Sequence, residues 1–333
     1  YLNKDKGNIV TMKFLETHFE EYIRSVDRVN LHPSLKKNSK VYFPDDISNL
    51  RHLILYGPRG VGKYTQALYN IKKYSPTELK YERKMNIVIG KGKGKNYNIK
   101  ISDIHFEIDM NLLGCNAKAL WNELYYHILD IISTRPKASG IIICKNFHKI
   151  HSELLDVFYS YMQTLVHKNI HLVYVLITEQ VSFIPLDILD RTTIISLKRP
   201  SKALYKRCTG KKLDIQPSNI ENIKDISIGI LQLTRPYSVI GNRIIRQIDD
   251  YKNLNYLEFR ETLYDLFIYN IDIVECIWFI VTHYINKGSL AKDDMCQIFI
   301  KMYVFLKYFN NNYRPIYHLE NFMIYLCKTI HGL

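Results

Sequence analysis

The stretch that most constrains the fold of this chain is HLILYGPRGVGKYTQALYNI, residues 52–71. Its first five residues belong to a short apolar run at 50–56, which Gly57-Pro58 ends. A short apolar run bounded in this way is typical of a buried strand. The residues from Gly62 onward predict a helix. A strand, a glycine-rich turn and a helix N-terminus together form an anion site, because free amides and the helix dipole both face the anion. The stretch therefore predicts an α/β domain that binds phosphate groups.

The turn supplies the candidate nucleotide-binding residues. Lys63 would reach the outer phosphates, and the glycines permit backbone angles that other residues resist. A Ser or Thr normally follows the lysine and holds magnesium, but this chain has Tyr64 there, with Thr65 next as a substitute. Arg59 could add a phosphate contact or could be an exposed loop cation. The predicted nucleotide-binding residues of the turn are Gly57, Pro58, Arg59, Gly60, Val61, Gly62, Lys63, Tyr64 and Thr65.

The rest of the chain predicts the layers around this turn. Further strand patterns occur at 80–110, 140–147, 170–178 and 192–197. They alternate with helical patterns, which indicates a parallel sheet with helices on both faces. After Lys198-Arg-Pro-Ser201 only helical patterns continue. The expected organisation is an α/β nucleotide-binding domain over 1–200, a small helical domain over 201–249 and a helical tail domain over 250–333.

Composition narrows the class of protein. The 333 residues carry 46 Lys and Arg against 32 Asp and Glu, a net charge of +14. This surplus favours an acidic partner such as nucleic acid, although a basic surface kept for solubility is the alternative.

Scattered cysteines indicate free thiols in a reducing compartment. No apolar run approaches the ~20 residues that span a bilayer, and no secretory signal is recognised. An intracellular protein is expected, without a metal site, since His148 and His151 lack a surrounding ligand cluster.

Over residues 45–250 the order and spacing of several motifs resemble the small subunits of eukaryotic-type clamp loaders, the replication factor C group of the AAA+ family. The chain is most similar to the subunit whose loop reads Gly-Lys-Lys-Thr, because Gly62-Lys63-Tyr64-Thr65 has the same displaced threonine. NYNIKISDIHFEIDMNLLG at 96–114 resembles that subunit's extra strand pair, and GNRIIRQI at 241–248 resembles its Asn-Arg-Asn-Leu-Arg helix. The resemblance implies an AAA+ P-loop domain, a helical lid over 201–249 and a helical collar over 250–333.

The strand expected at 140–147 bears on ATP hydrolysis. Hydrolysis needs magnesium, held by the loop hydroxyl and by an acid at the end of the next core strand. Active members of the resembled family carry Asp-Glu there, whereas this chain has Cys144-Lys145, and Glu153 and Asp156 belong to the following helix. An ammonium cannot accept a proton from water at neutral pH and would repel magnesium. The sequence therefore predicts that ATP or ADP is bound without hydrolysis, and a role for Mg²⁺ is doubtful.

The resemblance implies further site residues. Arg191 falls on the arginine finger that stabilises a neighbouring subunit's γ-phosphate, with a surface ion pair to Asp190 as the alternative. Arg246 resembles the lid arginine that senses nucleotide, with a plain helix cation as the alternative. Family members bind primer–template DNA through its phosphates without reading bases. The candidate DNA contacts are Lys72, Lys73, Lys91, Lys93 and Lys95, unless these lysines are only solvated.

The resemblance also implies partners. A non-hydrolysing subunit would join sister clamp-loader subunits in a hetero-oligomer, a pentamer, that loads a sliding clamp onto primer–template DNA in the nucleus or at another site of DNA replication. Aromatic residues of the tail, such as Trp278 and Tyr303, would pack partly against sisters and partly internally. The alternative is a degenerate AAA+ scaffold of a replication or transcription complex that binds neither nucleotide nor DNA. An independent DNA-dependent ATPase would require the acids that are missing after Ile143.

Overall fold

The structure is a computed structural model, and its description covers residues 18–89, 95–163, 170–210, 217, 220–223, 236–269, 271–309 and 314–332. The chain forms two compact units, Tyr1–Leu231 and Gln232–Leu333. They are called the α/β unit and the helical unit below. The division between them falls inside the segment 201–249, so the separate lid domain stays a prediction.

The α/β unit is built on one sheet. Its strands are β1 (His52–Tyr56), β2 (Arg83–Ile89), β3 (Lys95–Ile101), β4 (His105–Asp109), β5 (Ser139–Lys145), β6 (His171–Thr178) and β7 (Thr192–Ser196). Within the described residues the strand order is β2-β3-β4-β5-β6-β1-β7. The five strands from β4 to β7 in this order run parallel, and β2 and β3 extend the edge as antiparallel strands. The predicted parallel sheet is confirmed, with an antiparallel addition from the segment at 80–110.

Helices cover both faces of this sheet. They are α1 (Phe19–Arg28), α2 (Pro33–Lys37), α3 (Ser39–Tyr42), α4 (Lys63–Ile71), α5 (Ala117–Ser133), α6 (Ser152–Met162), α7 (Leu186–Asp190) and α8 (Lys202–Thr209). Successive side chains of a strand point to opposite faces. Leu53 of β1 therefore joins a core with Ala67 of α4, whereas Ile54 joins a core with Trp121 of α5 and Phe158 of α6. The unit is a three-layer α/β structure.

The face of β4 under α4 is polar, unlike its neighbours. Ile141 and Ile143 of β5 belong to the core on the α4 side, and they pair with His105 and Glu107 of β4. Lys145 lies two residues beyond Ile143 and so points to the same face. The two strands therefore place a histidine, a carboxylate and an ammonium on the face of the sheet that α4 also covers.

The helical unit contains only helices within its described residues. They are α9 (Pro236–Asp249), α10 (Tyr256–Ile268), α11 (Ile273–Lys287), α12 (Lys292–Phe309) and α13 (Pro315–His331). α9 packs against α10 and α11, and α12 packs against α13. Ile244, Leu263, Ile280 and Leu319 are fully buried in the shared core. The predicted all-helical C-terminal region is confirmed.

Candidate nucleotide-binding site

The phosphate turn, Gly57 to Gly62, connects the carboxyl end of β1 to the first residue of α4. Ligands of parallel α/β sheets bind at the carboxyl ends of the strands. Gly60 and Gly62 have φ angles of 69° and 84°, in the left-handed region that favours glycine. A Cβ on Gly60 would also collide with the carbonyl oxygen of Ile220. The backbone therefore requires glycine at both positions of the predicted turn.

Lys63 closes one side of the turn. Its ammonium donates hydrogen bonds to the carbonyl oxygens of Gly57 at 2.6 Å and Pro58 at 2.8 Å. Burial lowers the pKa of Lys63 to about 8; nearby Glu179 opposes this shift, and Arg59 adds to it. A phosphate would favour the protonated lysine, so phosphate binding and protonation of Lys63 stabilise each other.

Two distant side chains hold the other side of the turn. The hydroxyl of Tyr205 in α8 donates to the carbonyl oxygen of Gly60 at 3.0 Å, and Nε2 of His32 lies 2.7 Å from the carbonyl oxygen of Val61. These contacts fix two carbonyl groups of the turn by partners from elsewhere in the chain. Within the described part of the chain, the amides of residues 60–63 form no hydrogen bond. The turn thus offers a row of free donors at a helix N-terminus, which suits a phosphate group.

Arg59 forms an ion pair with a residue that the sequence did not suggest. Its Nε donates to both carboxylate oxygens of Glu179, at 3.2 and 3.1 Å. Glu179 directly follows β6, the strand beside β1. An acid immediately after a core strand is the sequence signal by which it could have been found. The role of Arg59 towards a nucleotide stays a prediction.

The carboxyl end of β5 carries Cys144, which is buried, and Lys145, which is partly exposed. The ammonium of Lys145 donates to Oε2 of Glu107 in β4 at 3.1 Å. Glu153 and Asp156 are exposed on α6, as expected from the sequence. Strand β5 therefore ends in a cation that is bound to a neighbouring strand, and its correspondence to a water-orienting residue stays a prediction.

Tyr64 contacts the same carboxylate. Its hydroxyl donates to Oε1 of Glu107 at 2.5 Å, and its ring centroid lies 5.3 Å from the ammonium of Lys145. Nε2 of His105 lies 3.4 Å from Oε1. Burial would raise the pKa of Glu107, which is 3% exposed, but the hydrogen bond from His105 and the charge of Lys145 hold it below its usual range. We call these four residues, Tyr64, His105, Glu107 and Lys145, the Glu107 cluster.

No role for Glu107 is predicted from the sequence, although the sequence contains a signal for one. In HFEID, residues 105–109, Phe106 and Ile108 alternate with polar residues, and all but the last are buried. When both faces of such a strand are buried, the polar side chains on one face need hydrogen-bond partners from the surrounding structure. Among the described residues, however, no group of three His, Cys, Asp or Glu side chains is placed to hold a metal ion.

Arg191 lies at the opposite edge of the sheet from the phosphate turn, one residue before β7. Its guanidinium stands over the ring of Tyr159, 5.3 Å from the centroid. Together with Asp190 and His52 it lines an open cavity of about 320 Å³. Arg191 is therefore not part of the chain's own phosphate site, and its action on a neighbouring subunit stays a prediction.

Two of the predicted DNA-binding lysines are paired within the α/β unit. Lys72 lies 3.3 Å from a carboxylate oxygen of Glu78, and Lys73 lies 3.2 Å from Asp45. Lys73 also donates to the carbonyl oxygen of Phe43 at 2.5 Å. Both lysines remain partly exposed, so a DNA phosphate could still reach them. Their contact with DNA stays a prediction.

The remaining predicted residues are not brought to the phosphate turn. Lys91 and Lys93 lie outside the described residues, and Lys95 is the first residue of β3, with its side chain also outside them. Arg246 is exposed on α9 in the helical unit. Its sensing role stays a prediction.

The surface of the helical unit carries several exposed aromatic side chains. Trp278, Tyr303 and Tyr308 are about half exposed or more, whereas Phe305 is buried. The aromatic residues of the tail are thus divided between core and surface. Among the described helices none is long and apolar enough to cross a membrane.

Comparison with known proteins gives little beyond this geometry. No protein-family model matches the chain, and no curated protein matches it. Among solved structures it is similar to the RuvB Holliday junction branch migration motor of Thermotoga maritima, with 14% identity, a TM-score of 0.34, and coverage of 72% of this chain and 70% of that one. A variant of the same RuvB protein gives 14% identity and a TM-score of 0.32, over 77% and 73% of the two chains. Such TM-scores assign neither a family nor a function.

Proposed function

We propose that this chain is a nucleotide-binding subunit of the AAA+ type that does not hydrolyse ATP. The observation that carries the proposal is the phosphate turn itself: among the described residues the amides of 60–63 have no hydrogen-bond acceptor, Lys63 lies beside them, and β5 ends without an acid. The first feature supports binding of ATP or ADP through its phosphates. The second removes the group that would activate water.

Within this class we propose a small subunit of a clamp loader. The support is the set of sequence motifs that resemble the replication factor C group, together with the net charge of +14, which favours DNA. Such a subunit would work in a hetero-oligomer with ATPase-competent sisters, a sliding clamp and primer–template DNA, in the nucleus or at another site of DNA replication. Arg191 would act on a neighbour's nucleotide, and the surface lysines would contact DNA phosphates.

Nucleotide binding is tested by calorimetric titration of the purified full chain with ADP. We expect saturable binding that Lys63→Met weakens by roughly a hundredfold, because it removes a charged contact to phosphate. Lys80→Met, which changes an exposed lysine away from the turn, serves as the control. DNA-stimulated ATP hydrolysis by the lone chain would contradict the proposal. The clamp-loader role is tested by asking which large and small subunits co-purify from the native source.

A specific observation favours the alternative of a scaffold that binds no nucleotide. Lys63 is hydrogen-bonded to the turn's own carbonyl groups, and Arg59 is paired with Glu179, so both cations of the turn already have partners. A scaffold predicts no ADP binding and no salt-dependent affinity for DNA. Titration with ADP and DNA binding at two salt concentrations separate the two functions.

A further inference from the structure

Magnesium in a phosphate-loop site is normally held by the hydroxyl after the loop lysine, with the help of an acid at the end of the next core strand. Here that hydroxyl belongs to Tyr64, and it is hydrogen-bonded to Glu107 at 2.5 Å. The strand end offers the buried thiol of Cys144 and the ammonium of Lys145. Mg²⁺ prefers oxygen ligands in octahedral geometry. The side chains at these two positions, Tyr64 and the end of β5, therefore do not fit the metal.

The other carboxylates near this edge are also occupied. Both oxygens of Asp109, the last residue of β4, accept hydrogen bonds from the side-chain amide of Asn146, at 3.0 and 3.1 Å. Both oxygens of Glu179 accept from Nε of Arg59. A metal ion at either carboxylate would lie beside these existing donors, one of which is the guanidinium of Arg59.

Lys145 brings a positive charge to this place. Its ammonium is fixed by Oε2 of Glu107 at 3.1 Å and lies 5.3 Å from the ring centroid of Tyr64. The side chain is nevertheless 30% exposed, so a ligand can reach it. β5 and β1 are parallel, with β6 between them. Lys145, the last residue of β5, therefore lies at the same carboxyl end of the parallel strands as the phosphate turn.

We propose that Lys145 replaces magnesium as the second cation of this site, and that the ligand is a nucleoside diphosphate or triphosphate free of metal. Tyr64 and Glu107 are positioning residues that hold the ammonium. The inference rests on the proposed nucleotide binding and specifies the form of nucleotide that binds. Magnesium then competes with the protein for the phosphate oxygens and weakens binding.

The test is calorimetric titration of the full chain with ADP, once with excess EDTA and once with excess magnesium chloride. We expect roughly tenfold tighter binding in EDTA, because magnesium converts ADP into a complex that the Lys145 ammonium repels, so that only the remaining free ADP binds. Lys145→Gln should bind ADP more weakly in EDTA and should show no difference between the two conditions. Lys145→Arg should keep both the affinity in EDTA and the difference between the conditions. Lys137→Gln, which changes an exposed lysine just before β5 at the opposite edge, should behave as the unsubstituted chain.

The outcomes separate the two proposals. ADP binding that is equal or tighter in magnesium overturns the inference and leaves nucleotide binding intact. An advantage in EDTA that persists in Lys145→Gln also overturns it. No binding in either condition, by a chain that circular dichroism shows to be folded, overturns the proposed function and the inference together. The comparison of the two conditions in the unsubstituted chain needs no variant, so it stands even if a substitution unfolds the protein.

Discussion

Lys145→Met should destabilise the α/β unit by leaving Glu107 buried without its cationic partner. Removal of one member of a buried ion pair costs about 3–5 kcal/mol. The side chain of Glu107 is 1% exposed and that of Lys145 is 30% exposed, and Tyr64 and His105 still hydrogen-bond the carboxylate. We therefore expect a smaller loss than this range, about 2–3 kcal/mol in the free energy of unfolding. For a unit of this size that lowers the Tm by about 5–10 °C.

The matched control is Lys72→Met. Lys72 is also a 30% exposed lysine paired with a glutamate, at 3.3 Å, but its partner Glu78 is 62% exposed. Removal of a solvent-exposed pair should change the free energy of unfolding by about 0.5 kcal/mol or less. The two variants lose the same side chain at the same exposure, so the difference between them reports the burial of the carboxylate.

The assay is urea unfolding followed by tryptophan fluorescence. The chain has two tryptophans, Trp121 buried in the α/β unit and Trp278 half exposed in the helical unit. In a Trp278→Phe background the signal reports the α/β unit alone. Adding Glu107→Gln to Lys145→Met should recover about 1–2 kcal/mol, because no unpaired charge remains buried. Equal effects of Lys145→Met and Lys72→Met, or strictly additive effects in the double variant, would refute the reasoning.

Three further outcomes follow from the phosphate turn. ADP affinity should fall as the pH rises through about 8, the pKa of Lys63, because the protonated amine binds phosphate; a pH series of titrations measures this, and Lys63→Met should flatten it. Gly60→Ala should abolish ADP binding, since its φ of 69° is strained for alanine and the new Cβ meets the carbonyl oxygen of Ile220; circular dichroism checks that the fold persists. Tyr205→Phe should weaken ADP binding by roughly fivefold, about 1 kcal/mol, because one carbonyl of the turn loses its hydrogen bond; unchanged affinity would count against a turn held in place by α8.

Local patterns in the sequence predicted the parts of the site that depend on neighbouring residues. The apolar run before Gly57 became β1, and the helix predicted after the glycines became α4. The run GIIIC at 140–144 became β5, which placed Lys145 at a strand end without any knowledge of the sheet order. These predictions succeeded because a strand, a turn and a helix N-terminus are each specified over a few consecutive residues.

The contacts that complete the site could not be predicted in this way, because they join distant parts of the chain. Tyr205 reaches the phosphate turn across 145 residues, and His32 reaches it across 29. Glu107 meets Tyr64 and Lys145 only because β4 lies beside β5 in the sheet and α4 packs on the same face of that sheet. Side-chain partners of this kind depend on tertiary packing, which has no signature at a fixed spacing in the sequence.

The Glu107 cluster links Tyr64 and Lys145, the two positions at which the sequence predicts a loss of ATP hydrolysis. A glutamate in place of Lys145 would stand beside buried Glu107, and two carboxylates in contact cannot both ionise without a large rise in the pKa of one. A serine in place of Tyr64 would leave an oxygen of Glu107 without its 2.5 Å hydrogen bond, in a place with little access to water. Either single change toward an active site therefore costs stability. Both changes would cost less if Glu107 changed as well, because this carboxylate binds both residues.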